Sequence, residues 1–360
     1  MSERPFALEG EPRKIAVLRA NAIGDFVFAL PALAALRQRF PHTEIVLLGL
    51  PWHVDFLRGR DSPVDRVVPL PKIRGIGAPE DFDTNELELQ ECIAALRDEA
   101  FDLVVQLHGG GRHSNHFVRE IQPRQAIGLS TPDALPLDAS VRYVYWQPEI
   151  LRLLEVVSLV GAVPAVLTPA LSVKQDDLAE ARAACGLPRG RLVALHAGAG
   201  DPRRRWPLEN FARTGRTLRD AGWEIAIVGS EQDDTLARSL TEKLAGRAAN
   251  IAGRLSLGGL AGLLSECRLL IGNDSGPLHI AEAVGTPTVG VYWCGNIVNA
   301  EPITRATHRP VLSWRLECPV CGAGVHDARC THDAPFADLA PVEEVLEQAF
   351  DLLGVPAPSP

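Results

Sequence analysis

Three short stretches of this 360-residue chain place reactive side chains directly after apolar, strand-like runs. The first follows Lys14 to Leu18 and carries Arg19, Asn21, Gly24 and Asp25 ahead of an apolar helical pattern. A carboxylate there can accept a proton from a hydroxyl. Asp25 would serve equally as a helix cap that complements the helix dipole. The second stretch follows Leu192 to Leu195 and reads His196-Ala197-Gly198-Ala199-Gly200, then Asp201-Pro202-Arg203-Arg204-Arg205-Trp206-Pro207. Small residues such as Gly198 let backbone N–H groups approach an anion, and the arginines supply positive charge. A solvated basic loop anchored by Trp206 would carry the same residues. The third is Asn273-Asp274-Ser275-Gly276-Pro277-Leu278-His279. Pro277 suits the first helical position, which makes the preceding N–H groups an anion site with Ser275 and Gly276 as contacts. Asp274 would repel a phosphate and is better suited to ordering the loop or meeting a sugar hydroxyl. His279 is either part of that site or a satisfied core histidine. Glu231, just beyond the run Glu224 to Val228, stands where a carboxylate meets ribose hydroxyls in nucleotide-binding folds.

The elements that must position these residues alternate. Short apolar runs at Lys14 to Leu18, Glu44 to Gly49, Asp65 to Leu70 and Leu103 to Leu107 read as strands, with helical spacing over Phe26 to Phe40 and Glu86 to Ala100. Pro41 ends the first of these helices. A second series has strands at Leu192 to Leu195, Glu224 to Val228, Leu269 to Ile271 and Thr288 to Tyr292. Helices at Leu208 to Asp220, Asp234 to Leu244, Leu257 to Glu266 and Pro277 to Val284 fall between them. The pattern predicts an α/β protein of two Rossmann-like, doubly wound domains facing a cleft, with ligands beyond the carboxyl ends of the strands. The proline-broken run Gly161 to Val173 marks the crossover. The expected division is residues 1–168, then 169–340, then a terminal helix and tail at 341–360 that packs back on the first domain.

The segments KIAVLRANAIGDFVFALPAL, HAGAGDPRRRWPLENF and NDSGPLHIAEAVGTPTVGVY, in this order, resemble the ADP-heptose:lipopolysaccharide heptosyltransferases of glycosyltransferase family 9. The resemblance runs roughly from Lys14 to Phe350. It implies a GT-B fold and inverting transfer of a heptose from ADP-heptose to a hydroxyl of a lipopolysaccharide-core or related glycan acceptor. By the same likeness Asp25 is the general base, Arg205 a donor-phosphate contact, and Glu231 the ribose carboxylate. Asp274, Ser275, Gly276 and His279, with Gly198, match the diphosphate and sugar site. Arg19, Asn21 and Arg112 are the acceptor-side candidates; Arg112 follows the glycine run Gly109-Gly110-Gly111 at another strand end. The sequence reads as lacking a D-x-D motif of the type that metal-dependent glycosyltransferases use, so no cofactor is implied for catalysis. Two rivals stay open, a protein (autotransporter) heptosyltransferase and a nucleotide-sugar epimerase of the same fold; the Gly24-Asp25 motif speaks against the epimerase.

Cys318-x2-Cys321-x8-Cys330 is a spacing that can grip Zn or Fe, with Cys294 or a histidine, His326 or His332, as the fourth ligand. The set expected here is Cys294, Cys318, Cys321 and Cys330. Autotransporter heptosyltransferases resemble this arrangement in having a Cys-bound iron. Cys92, Cys185 and Cys267 lie in helical patterns and read as small core residues. With 36 Lys plus Arg against 45 Asp plus Glu, the formal charge of -9 argues against a nucleic-acid partner. No apolar run is long enough to span a bilayer and MSERPFALEG lacks a signal-peptide pattern, which predicts a cytoplasmic protein. A lipid-linked acceptor would bring it transiently to the inner-membrane surface.

Overall fold

Ile15, Ala16, Val17 and Leu18 are all fully buried, because a parallel strand covered by helices on both faces has no wet side. The same holds for Ile45–Leu48, Leu103–Val105, Val193–Leu195 and Leu269–Ile271. The computed structural model describes residues 6–186, 190–325 and 329–356. Two units emerge, Met1–Pro169 and Ala170–Pro360.

The first unit runs β1 (Lys14–Leu18), α1 (Ile23–Arg39), β2 (Glu44–Gly49), α2 (Pro51–Leu57), β3 (Arg66–Pro69), β4 (Ile73–Arg74), β5 (Gly77–Ala78), α3 (Glu86–Asp98), β6 (Leu103–Gln106), α4 (Ser114–Ile121), β7 (Gln125–Ser130), β8 (Ala139–Arg142) and α5 (Glu149–Ser158). Its sheet is parallel throughout, in the order β3-β2-β1-β6-β7-β8. The second unit runs α6 (Gln175–Cys185), β9 (Leu192–His196), α7 (Leu208–Asp220), β10 (Glu224–Ile227), α8 (Asp234–Lys243), β11 (Ala249–Asn250), α9 (Leu257–Glu266), β12 (Leu269–Asn273), α10 (Gly276–Ala283), β13 (Thr288–Trp293), α11 (Ile297–Ala300), β14 (His308–Ser313) and α12 (Val342–Leu353). Its parallel sheet has the equivalent order, β11-β10-β9-β12-β13-β14. Both sheets are doubly wound. Each therefore has a switch point where the strand order reverses, between β1 and β6 and between β9 and β12, and that is where such sheets bind ligands.

Two local differences from the sequence expectation affect the site. Helix α1 begins at Ile23 rather than Phe26, which puts Gly24 and Asp25 inside its first turn; the N-cap is Ala22, which makes no side-chain cap. Asp25 is thus not the cap, although its charge still complements the positive end of the helix. The terminal helix α12 was expected against the first domain. Its apolar face, Val345, Ala349, Phe350 and Leu353, is instead taken up by the core of the second unit, together with Trp206 and Phe211.

Candidate active site

At the first switch point, the chain leaving β1 turns through Arg19 into α1. Arg19 is 1% exposed. Its Nη2 lies 3.1 Å from Asp25 Oδ1 and 2.9 Å from Glu149 Oε1, and its Nε donates to the Asp25 carbonyl at 3.1 Å. Nη1 donates to the Leu107 carbonyl at the end of β6. Arg19 is therefore enclosed by groups that orient it, while the Asp25 side chain remains 39% exposed. Glu149, the first residue of α5, also pairs with Arg152. This arrangement provides a carboxylate at a sheet edge, aimed by a buried guanidinium.

Beside it, Asn21, Gly75, Glu80, His108, Gly110 and Arg112 are among the residues lining a pocket of about 460 Å³. The Asn21 Oδ1 atom is buried without a hydrogen-bond partner among the described residues. His108 Nδ1 accepts from the Ala20 N–H at 3.3 Å and Nε2 faces the Gly75 carbonyl at 3.0 Å, which selects the neutral Nε2–H tautomer. Burial, reinforced by the Arg19 charge, lowers its pKa to about 4. Gly111 has φ +94°, and a Cβ there would stand 2.6 Å from Asn115 Nδ2, so the wall of the pocket requires glycine. Arg112 is exposed and paired with Asp133 at 2.6 Å and Glu80 at 3.7 Å.

The second switch point gathers the other two motifs. Asn273 accepts the Trp206 N–H at 2.9 Å and donates to the carbonyls of Ala197 and Gly198 at 2.9 and 3.2 Å. It thereby ties the loop after β9 to the end of β12. Ser275, the N-cap of α10, donates to the Asn273 carbonyl and lies 3.0 Å from His196 Nδ1. Gly276 and Pro277 open the helix. Asp274 is 2% exposed, with His279 Nε2 and Arg204 Nη1 each 3.0 Å from its carboxylate and Asn296 bonded to it. Burial works against its charge, yet the bond to His279 and the cation of Arg204 hold it below the usual carboxylate range. Burial likewise disfavours an imidazolium at His279, but the carboxylates of Asp274 and Glu282 outweigh it and raise its pKa to about 10. His279 thus stands between two carboxylates that favour its protonated form.

Gly198 is the tightest point of this loop. A Cβ on it would fall 2.1 Å from Asp233 Oδ1 and 2.9 Å from His196 Nε2. Asp233 is itself held by the Ser230 N–H and hydroxyl, each at 2.8 Å, and its pKa falls to about 2, chiefly through His196. Glu231 is exposed at the start of the short 3-10 turn Glu231–Asp233 after β10. Arg205 does not face Asp274; its Nε and Nη2 donate to the Ala199 carbonyl at 3.1 and 2.8 Å. The arginine on Asp274 is its neighbour Arg204. Nothing in the run Arg203-Arg204-Arg205 separates the two. Asn296 and Glu149 were also beyond sequence reading, since each comes from an element distant in the chain.

The expected metal ligand set needs one correction. Cys318, Cys321, Cys330 and His332 place their ligand atoms within 4.8 Å of one another. Cys294 is not in the group; its Sγ bonds the Arg315 carbonyl at 3.3 Å at the end of β13. His332 Nδ1, 3.8 Å from Cys318 Sγ, takes the fourth place, and His326 lies outside the described residues. Backbone N–H groups of Val320 and Cys321 lower the Cys318 thiol to about 6. A D-x-D string does occur, Asp81-Phe82-Asp83 before α3, but it belongs to no such cluster among the described residues.

Two doubly wound units, each with polar residues gathered at its switch point, make a GT-B fold. The chain belongs to glycosyltransferase family 9 (heptosyltransferase), whose family model matches residues 90–318. It is 25% identical over 291 residues to lipooligosaccharide heptosyltransferase 2 of Haemophilus ducreyi, covering 76% of this chain and 81% of that protein. Its fold is similar to a glycosyl transferase family 9 protein from Veillonella parvula, with TM-score 0.77 and 20% identity over 95% of this chain and 97% of that one. It is also similar to E. coli ADP-heptose lps heptosyltransferase II, with TM-score 0.74 and 21% identity over 94% and 98%.

Proposed function

We propose that this enzyme transfers a heptose from ADP-heptose to a hydroxyl of a lipopolysaccharide-core glycan. The observation that carries the reading is Asp25, a part-exposed carboxylate fixed by buried Arg19 at a switch point, in a family of heptosyltransferases. Asp25 takes the proton of the acceptor hydroxyl as its oxygen attacks the anomeric carbon and the bond to the diphosphate breaks. Asn21, Arg112 and the pocket beside them receive the acceptor glycan. In the second unit Gly198, Ser275, Gly276 and the first turn of α10 hold the departing diphosphate. Asp274 and His279 order that loop, Arg204 and Arg205 supply charge, and Glu231 meets the ribose.

Three thiolates and an imidazole at 4.8 Å or less form a donor set that suits structural Zn or Fe. A tetrahedral Zn with Zn–S bonds of about 2.3 Å needs ligand separations of about 3.8 Å, so the cluster requires only a small contraction. The enzyme works in the cytoplasm, meeting a lipid-linked acceptor at the inner-membrane surface. Among the described residues no helix is long and apolar enough to cross a membrane.

A thermal-shift panel of ADP, UDP, GDP and CMP tests the donor. Selective stabilisation by ADP and ADP-heptose is expected, because a ligand bound only by the native state raises Tm. A selective UDP or GDP response would overturn the ADP assignment.

A further inference from the structure

Glu282 lies one turn beyond His279 on α10 and is 8% exposed. Its Oε2 is 3.5 Å from His279 Nδ1, and the chain continues through His279 Nε2 to Asp274 and from Asp274 to Arg204, at 3.0 Å each. The second carboxylate oxygen, Oε1, is buried and has no hydrogen-bond partner among the described residues. A buried carboxylate is costly unless a cation meets it. Among the described residues, the other ionisable groups near Glu282 do not provide one. Burial lowers the pKa of His308 of β14 and raises that of Tyr292 of β13, which disfavours a charge on either. Arg305, which lies near Tyr292, is paired with Glu301. Arg204 balances one of the two carboxylates, Asp274 and Glu282, and an imidazolium at His279 balances the other.

We propose that Glu282 is a positioning residue that fixes His279 as an imidazolium, so that Asp274 stays neutralised from within and the loop after β12 accepts a nucleoside diphosphate. This rests on reading the Asp274–His279 loop as the donor site. A pKa of about 10 for His279 agrees with it. Without the Glu282 charge, His279 would lose its proton at lower pH, leave Asp274 with less compensation and set it against the diphosphate.

The test is an NMR titration of the His279 ring in the full chain, assigned by its loss in His279→Asn, for the wild type and Glu282→Gln. ADP affinity is measured on the same samples by calorimetry. The wild-type ring should stay protonated from about pH 6 to about pH 9, with ADP Kd changing little. In Glu282→Gln the ring should titrate inside that range and the Kd should rise roughly tenfold across it, an ordinary size for coupling between two binding events. A Glu282→Gln ring that titrates like the wild type overturns the proposal. Should that variant unfold, Glu282→Asp supplies the same comparison, with a smaller displacement expected. A wild type that does not bind ADP contradicts the donor-site reading instead, and the ring titration still decides the role of Glu282.

Discussion

Arg19 and Asp25 form an ion pair in which one partner is buried and the other is part-exposed: 2% of the Arg19 side chain is accessible against 39% of Asp25. The same Nη2 also meets Glu149, while Nη1 donates to the Leu107 carbonyl and Nε to the Asp25 carbonyl, so the carboxylate is aimed by a guanidinium held on all three nitrogens. Arg19 is thus placed to orient Asp25.

Replacing Arg19 should separate the two roles. Arg19→Met leaves the Leu107 carbonyl without its donor and Asp25 without its cation, while Glu149 keeps Arg152, and should cost about 1–3 kcal/mol of stability, the penalty for an unsatisfied buried polar group. Arg19→Lys keeps the charge but loses the planar fork, and should lower kcat more than it lowers stability. Urea midpoints and transfer rates on both variants check this. Equal, small losses in both would contradict it.

The acid limb of stability should carry a histidine signature. His53, enclosed by Phe26 and stacked on Trp52, is lowered to about 4 by burial, as is His108. Unfolded histidine titrates near 6.5, so between about pH 6.5 and 4 the unfolded chain binds more protons than the folded one. The contribution of these two histidines is therefore complete above about 6.5 and falls as pH drops toward 4, by up to about 1.4 kcal/mol per pH unit for each group. His108→Gln should flatten that slope. An unchanged slope in urea titrations would count against the buried, neutral imidazole.

Gly198→Ala should be poorly tolerated for a local reason. The new methyl would meet Asp233 Oδ1, which cannot swing away without breaking its bonds to Ser230. Overpacking of this kind costs about 1–3 kcal/mol, and displacement of the loop should weaken ADP binding as well. Calorimetry with ADP and a thermal melt read both effects. An alanine variant with wild-type affinity would show that the loop does not hold the nucleotide.

Metal content distinguishes the corrected ligand set from the expected one. Purified protein should carry about one Zn or Fe per chain by elemental analysis, and chelation should lower Tm. His332→Ala and Cys330→Ser should lose the metal, whereas Cys294→Ser should keep it. Retention in His332→Ala with loss in Cys294→Ser would restore the sequence-based set.

How much of this was legible follows from physics at each residue. Strands such as Lys14–Leu18 and Glu44–Gly49, and helices such as Leu208–Asp220, announce themselves because burial on both faces or one stripe dictates apolar spacing. The start of α1 was hidden because Ala22 carries no capping side chain. The half-exposed edge strand β8 carries too little apolar pattern to read, and helix α4, though amphipathic, is only 8 residues long. The site motifs were legible as strings, yet the division of labour between Arg204 and Arg205, and the choice of His332 over Cys294, depend on which way adjacent backbone turns face. Glu149, Asn296 and Glu282 act through contacts from other elements or along a helix interior, where sequence spacing carries no chemical label.

The central claim is that Asp25 is the base of a heptosyl transfer from ADP-heptose, and the direct measurement compares wild type with Asp25→Asn for ADP release in the presence of a lipopolysaccharide-core acceptor. The wild type should release ADP only when donor and acceptor are both present. Asp25→Asn should bind ADP with unchanged affinity, melt near the wild-type temperature and turn over about 10²–10⁴-fold more slowly, the range general-base catalysis supplies. Wild-type turnover by a folded Asp25→Asn enzyme would contradict the account.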